Sequence, residues 1–476
     1  MNEGRNMGNT SSNSKHKKWL LAIMIPVVIL IIIYLSMTFY FKERFFFGSI
    51  INGVNYGGKT VSQVEELIAS DSSNYSIELI GRNDLKDIIT ASEINYQYIS
   101  DGSVKLLKDK QNPFLWISAL FKQKDSNEMT INTSFDEDAL RSSISNTVFF
   151  DKRNIEKPKN AYVKYDKKQK EYVLVPEEKG SKLLIDNAFE AIKSAISKGK
   201  TTLDLDEAAC YKEPKYTSET PKMVSFFEKV KLYSGASITY DFSDREEVVD
   251  VSTIHNWLKL DNKKLKVTID ENAIKEYVDY LGRTYSTFGA SREFKASSGK
   301  TITISGGDYG WLINRTAEVK ALKKSVKKGK TITKEPVYTQ KAISRKKNDI
   351  GNTYVEINLT KQHLWFYKEG KKIVSSDFVS GNVSRGWGTP AGIYQITYKE
   401  RDAILGVNSG ADYRSPVSYW MPFNGNIGMH DATWRNSFGG TIYKSNGSHG
   451  CINLPLNNAK VIFENISAGI PVILYY

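Results

Sequence analysis

The chain of 476 residues holds two cysteines and five histidines. His449 and Cys451 nevertheless stand two apart in SNGSHGCINLP (residues 445–455), with Gly450 between them and Ser448 in front. A cysteine thiolate attacks carbonyl carbon well, and a flanking glycine lets a substrate approach the backbone closely. Cys451 is therefore the candidate nucleophile of an acyl transfer. A base must accompany it. His449 is the nearest in sequence, but two residues along one chain is poor geometry for in-line proton transfer, and Cys–His pairs are assembled from separate segments. His430, in NIGMHDATW twenty-one residues earlier, is the better base, at a spacing that suits one loop or hairpin folding back.

Other readings of these residue types are weaker. His430, Asp431, His449 and Cys451 could ligate zinc, but the sequence has no Cys pair and no H-E-x-x-H, so neither a metal nor another cofactor is expected. Cys210 and Cys451 could pair in an oxidising compartment. Against that, Cys210 lies far along the chain, and one bridge adds little to domains with their own cores. His16 belongs to a basic leader, while His255 and His363 read as surface or core residues.

The elements that carry this site begin with an anchor. After a leader containing Arg5, Lys15, Lys17 and Lys18, residues 19–41 (WLLAIMIPVVILIIIYLSMTFYF) run without a charge, long enough to span a bilayer as a helix. A cleaved signal peptide would have a shorter apolar region ending in small residues, so an uncleaved span is expected, with residues 1–18 in the cytoplasm and the rest outside. A formal charge of +13 favours polyanions, and an anionic wall or lipid satisfies that. Nucleic acid is not expected, because an outward-facing chain without an aromatic-basic recognition motif is poorly suited to it.

An internal repeat fills the middle. Residues 180–201 (GSKLLIDNAFEAIKSAISKGKT) and 310–331 (GWLINRTAEVKALKKSVKKGKT) share one register and close on K-G-K-T. Each copy predicts a helix opened by Asp186 or Thr316 and stopped at Gly199 or Gly329, with Phe189, Ile192 and Ile196 or Val319, Leu322 and Val326 on the core face. Looser matches upstream extend the copies to two α+β units, residues 42–215 and 216–345. The first carries an additional apolar stretch, FLWISALF (114–121), expected to be a helix packed on the core. Residues 346–476 read as mostly β, a sandwich or barrel, with a hairpin turning at Glu369 and Gly370.

His430, seventeen intervening residues and then Ser448-His449-Gly450-Cys451-Ile452-Asn453 resemble the signature of the L,D-transpeptidases with a YkuD-type catalytic domain. The upstream G-T-P-A-G-I-Y (388–394) resembles another element of that domain, and the two units ahead of it are similar to peptidoglycan-binding repeats. The resemblance implies that Cys451 attacks the carbonyl of the third stem-peptide residue, releases the terminal D-Ala and passes the acyl group to an amine on a neighbouring stem. It also implies that His430 is the acid/base, that Ser448 helps hold its imidazole, that backbone N–H groups near Gly450 and Cys451 form the oxyanion hole, and that His449 and Asn453 line the site. A sortase would need an arginine after the cysteine, and none follows Cys451. A non-catalytic wall-binding protein would explain the repeats and the charge, but not the Cys-His site.

Overall fold

The computed structural model describes residues 13–121, 126–346, 348–407 and 414–476. Residues 1–12, which include Arg5 of the expected leader, lie outside them. The chain divides into two compact units, one comprising residues 1–161 and 176–217, the other residues 162–175 and 218–476.

The first unit opens with the helix Asn13–Tyr40, whose stretch Trp19–Tyr40 has a mean hydropathy of 2.9 and is long and apolar enough to cross a membrane. Beyond it, the strands Ser76–Ile80 and Lys86–Thr90 pair antiparallel, and Thr202–Asp204 joins Ser76–Ile80 in parallel. The helices Glu137–Asn146 and Ile185–Ser197 turn Leu140, Ile144, Phe189, Ile192 and Ile196 into the core beneath this sheet. FLWISALF departs from expectation. Its short helix Trp116–Phe121 buries no residue, and Phe114, Leu115, Leu120 and Phe121 are all exposed. Trp116 instead donates from Nε1 to the Tyr34 carbonyl of the apolar helix at 3.3 Å, and Tyr34 returns a bond to Phe114.

The second unit repeats the pattern. Ser237–Asp241 pairs antiparallel with Glu246–Val249 and parallel with Thr331–Lys334, and Glu271–Tyr285 and Arg315–Lys327 supply the helices. The helix starts differ from those read in the sequence. Asp186 lies inside the first turn of its helix and pairs with Arg141, while the second helix is capped by Asn314, whose side chain accepts the Ala317 N–H; Thr316 is already helical. The hairpin Tyr162–Asp166 and Glu171–Val175, within the stretch expected for the first unit, belongs to the second. Val163 exchanges two backbone bonds with the Asn262 amide, and His255 stacks on Tyr165.

The C-terminal domain, in the same unit, is two mixed sheets. In the first, β1 (Tyr354–Asn358), β2 (His363–Lys368), β3 (Lys371–Asp377), β4 (Gly392–Gln395) and β9 (Pro471–Tyr475) are ordered β3-β2-β1-β9-β4. Glu369 and Gly370, both at positive φ, make the β2–β3 turn as the sequence predicts. The second sheet is β5 (Glu400–Leu405), β6 (Ser415–Asn424), β7 (Ile427–Asp431) and β8 (Ile452–Leu454) in sequential order. Val355, Ile357, Leu364 and Phe366 from one sheet meet Met421, Met429, Ile452 and Leu454 from the other, and the helix Leu456–Asn465 closes this core with Ala459 and Ile462.

The second repeat covers the free edge of β4. Ile393 exchanges backbone bonds with Gly306 and Tyr309, at a separation only glycine allows: a Cβ on Gly307 would lie 2.0 Å from the Ile393 carbonyl oxygen. Phe294, Ile304, Tyr309 and Trp311 share a core with Ile393, Ile473 and Tyr475. Below it, Glu356, fully buried in β1, accepts bonds from the N–H and hydroxyl of Ser297 and from Tyr475. Arg292 pairs with Asp349 beside it.

Candidate active site

Strand pairing brings the sequence candidates together. β7 and β8 run parallel with Met429 opposite Ile452 and His430 opposite Asn453. Side chains alternate along a strand, so Met429 and Ile452 enter the core while His430 and Asn453 share the opposite face. Cys451, two residues before Asn453, lies on that same face. All three line one cavity of about 230 Å³, together with Trp434 and Arg435. Cys451 also lines a second cavity of about 630 Å³, walled by β5, by Trp420 and by the β6–β7 turn, and His449 borders both.

The loop before Cys451 is held by a neighbouring segment. Ser448 N–H donates to Ser380, Asn382 N–H donates to Ser448, and Val379 and Asn453 exchange bonds in both directions. The Asn382 amide donates to the Ser445 carbonyl. Glycines make this approach possible. A Cβ at Gly447 would lie 2.5 Å from the Asn382 nitrogen, and one at Gly381 would lie 1.8 Å from the Trp387 oxygen and 2.9 Å from Gly450 Cα. Thr389 closes the arrangement: its buried hydroxyl donates to the Gly450 carbonyl at 2.7 Å and accepts the Gly381 N–H at 2.9 Å.

His430 is 3% exposed, with the rings of Trp420 and Trp434 each 5.9 Å from its own. Its Nδ1 lies 2.8 Å from the Asp431 carbonyl oxygen and must donate to it, which leaves the Nε2 lone pair to accept a proton. Burial holds the imidazole below its ordinary pKa, because desolvation disfavours the cation. Cys451 is 8% exposed, and burial pushes its thiol up to about 11, against a hydrogen bond from the Gly428 N–H that acts in the other direction. The thiol also lies 3.6 Å from the Asn426 carbonyl. Burial thus favours the uncharged form of both the nucleophile and the base.

Ser448 has a different placement from the one the resemblance implies. Its hydroxyl donates to the Cys451 carbonyl at 2.6 Å and accepts the Gly450 N–H at 3.1 Å, so it folds the loop around the cysteine, while the imidazole of His430 is oriented by Asp431. The same bond occupies the Gly450 N–H expected in the oxyanion hole. His449 is exposed and stacks on Trp387, ring centroids 4.1 Å apart. Among the described residues, no group of three or more His, Cys, Asp or Glu is placed to hold a metal ion, and both cysteines are free.

A model of the L,D-transpeptidase catalytic domain matches residues 352–474, and a peptidoglycan-binding domain matches twice, at 88–204 and 220–333. An Enterococcus faecium L,D-transpeptidase, solved as a cysteine-to-serine mutant, is 33% identical to this chain over 54% of this chain and 100% of that one, with a TM-score of 0.44. The chain belongs to the L,D-transpeptidase family. The catalytic domain of an E. faecium L,D-transpeptidase, solved after acylation by ertapenem, is 42% identical over 26% of this chain and 98% of that one, with a TM-score of 0.24. No match was found among curated proteins. Within this L,D-transpeptidase, sequence reasoning read Asp431 only as a possible zinc ligand and overlooked Thr389, Trp420 and Arg435. The T-P-A-G element was a signal for the first. Nothing local marks the others, whose roles depend on pairing between distant strands.

Proposed function

We propose that this L,D-transpeptidase cross-links peptidoglycan stems outside the cell through an acyl-enzyme on Cys451. In this reading residues 19–41 anchor it in the membrane with 1–18 in the cytoplasm, residues 42–215 and 216–345 engage the wall polymer, and 346–476 carry the chemistry. What supports it is the shared face of β7 and β8, which puts Cys451, His430 and Asn453 on the wall of one cavity. Cys451 Sγ forms a bond to the carbonyl carbon of the third stem residue as its proton passes to His430 Nε2. The C–N bond to the terminal D-Ala then breaks and the leaving nitrogen takes that proton. An acceptor amine attacks the thioester, the C–S bond breaks, and the amine's proton returns to the sulfur through His430. Ser448 shapes the nucleophile's loop in this scheme, and the Cys451 N–H is the backbone donor assigned to the oxyanion.

The test uses full-length protein in detergent with defined tetrapeptide stems, products being weighed by mass spectrometry. The wild type should yield a dimer lacking one D-Ala, and Cys451→Ala none. Cross-linking that persists in Cys451→Ala would overturn the assignment. A carbapenem should add once, on the peptide containing Cys451, because its strained carbonyl presents the same electrophile.

A further inference from the structure

Among the described residues, two buried polar atoms that have no hydrogen-bond partner belong to side chains lining the smaller cavity. Arg435 Nε and Asn453 Oδ1 are both buried and both unpartnered, and both residues line this cavity beside His430 and Cys451. Asn453 is 2% exposed. Arg435 forms no ion pair among the described residues, and its charge is close enough to disfavour protonation of His430. A half-buried guanidinium whose Nε is sealed from solvent, with no counter-ion among the described residues, is costly, so the site suits an anion that arrives with the ligand.

The placement of the base says which part of the substrate that is. Cys451 borders both cavities, whereas His430 lines only the smaller. The leaving nitrogen must take its proton from His430, so the leaving group departs into the smaller cavity. A volume of about 230 Å³ is that of roughly eight waters at about 30 Å³ each, ample room for one small amino acid. The larger cavity has the opposite charge. Glu400 and Asp402 alternate along β5 and line it, while Arg401 between them lies over Tyr419 and Phe463. A donor with an ammonium on the residue before the scissile bond and a carboxylate just after it matches this polarity.

Resting on the acyl-transfer reading above, we propose that the smaller cavity seats the departing D-amino acid, and that Arg435 binds its terminal carboxylate while Asn453 Oδ1 accepts its amide N–H. Arg435 thereby makes the enzyme select stems that end in a free carboxylate at this position.

The experiment compares a tetrapeptide stem with the same stem ending in a carboxamide, on full-length protein in detergent. Wild-type kcat/KM should favour the carboxylate by roughly 10- to 100-fold, the worth of one charge-assisted bond pair. In Arg435→Gln that ratio should fall to about one, with the change in KM, and Arg435→Lys should restore part of it. A thermal melt of Arg435→Gln checks its folding, and the ratio is internal to each preparation. Calorimetry on Cys451→Ala provides a second measurement that needs no turnover. It should bind the carboxylate stem more tightly than the carboxamide, and Cys451→Ala/Arg435→Gln should bind both alike. An unchanged ratio in Arg435→Gln, or equal binding of both stems by Cys451→Ala, overturns the proposal. If wild type processes neither stem but the binding preference follows Arg435, the acyl-transfer reading fails and the carboxylate site stands.

Discussion

The protonation state of Cys451 at rest can be measured directly. Burial raises its thiol to about 11 and holds His430 below the usual imidazole value, so the resting pair is thiol and neutral imidazole rather than thiolate and imidazolium. With a pKa about four units above neutrality, roughly one Cys451 in ten thousand is ionised at pH 7, and ionising it there costs about 5 kcal/mol. In the proposed scheme that cost is avoided, because the proton moves to His430 Nε2 as the carbon–sulfur bond forms. Thiolate absorbs ultraviolet light more strongly than thiol, so the difference between wild type and Cys451→Ala reports this residue alone, Cys210 cancelling. The difference should stay flat from about pH 5 to about pH 9 and rise toward pH 11. A step centred near pH 6 would refute the neutral pair. Turnover carries the companion sign. In the proposed scheme attack requires neutral His430, whose pKa is depressed, so the acid limb of activity should be centred below its ordinary value of about 6.5. An acid limb centred above pH 7 would show that His430 is not the buried neutral base.

Four further outcomes are expected. Cys451→Ala should lose transfer yet melt like wild type, whereas Cys210→Ser, altering a thiol sealed in the core of the first unit, should keep transfer and lose about 1–3 kcal/mol in a denaturant titration. Thr389→Val strands the Gly381 N–H and the Gly450 carbonyl, so stability should drop on the order of 3 kcal/mol and kcat with it, while Thr389→Ser retains most of both; equal rates for Val and Ser would remove Thr389 from the positioning scheme. Cross-linking should continue in EDTA, and its loss with recovery on adding zinc would reverse the assignment. Residues 346–476 alone should melt at lower temperature than residues 218–476, because Ile393, Ile473 and Tyr475 lose their cover and Glu356 loses Ser297; identical melts would contradict the shared core.

Much of this was legible because the signals are local. The repeat register, the core faces of Ile185–Ser197 and Arg315–Lys327 and the Glu369–Gly370 turn follow from periodicity and turn chemistry within a few residues. Helix starts were less legible, since Asp186 and Thr316 have side chains that can cap, yet both lie inside the first turn and in the second helix it is Asn314 that caps. FLWISALF misleads because composition reports only that a segment prefers an apolar environment, and beside the helix Asn13–Tyr40 that environment need not be the protein core. At the site, residue types and spacing point to Cys451 and His430, which strand pairing places on one cavity, but the destination of the Ser448 hydroxyl is a matter of loop closure. Arg435 becomes conspicuous only in the folded chain, where its Nε is buried with no partner among the described residues.

The junction at Ile393 has a mechanical consequence. Glycine backbones packed against β4, a shared core and the buried Glu356 leave no hinge between the second repeat and the first sheet, whose other face shares its core with the sheet that carries the cysteine. A glycan strand gripped by that repeat would sit at a constant offset from Cys451, as a workpiece clamped to the bed sits at a set distance from the tool. The slack needed for two stems to meet must then come from the wall, so the stiffness of the polymer itself would set which neighbours can be joined.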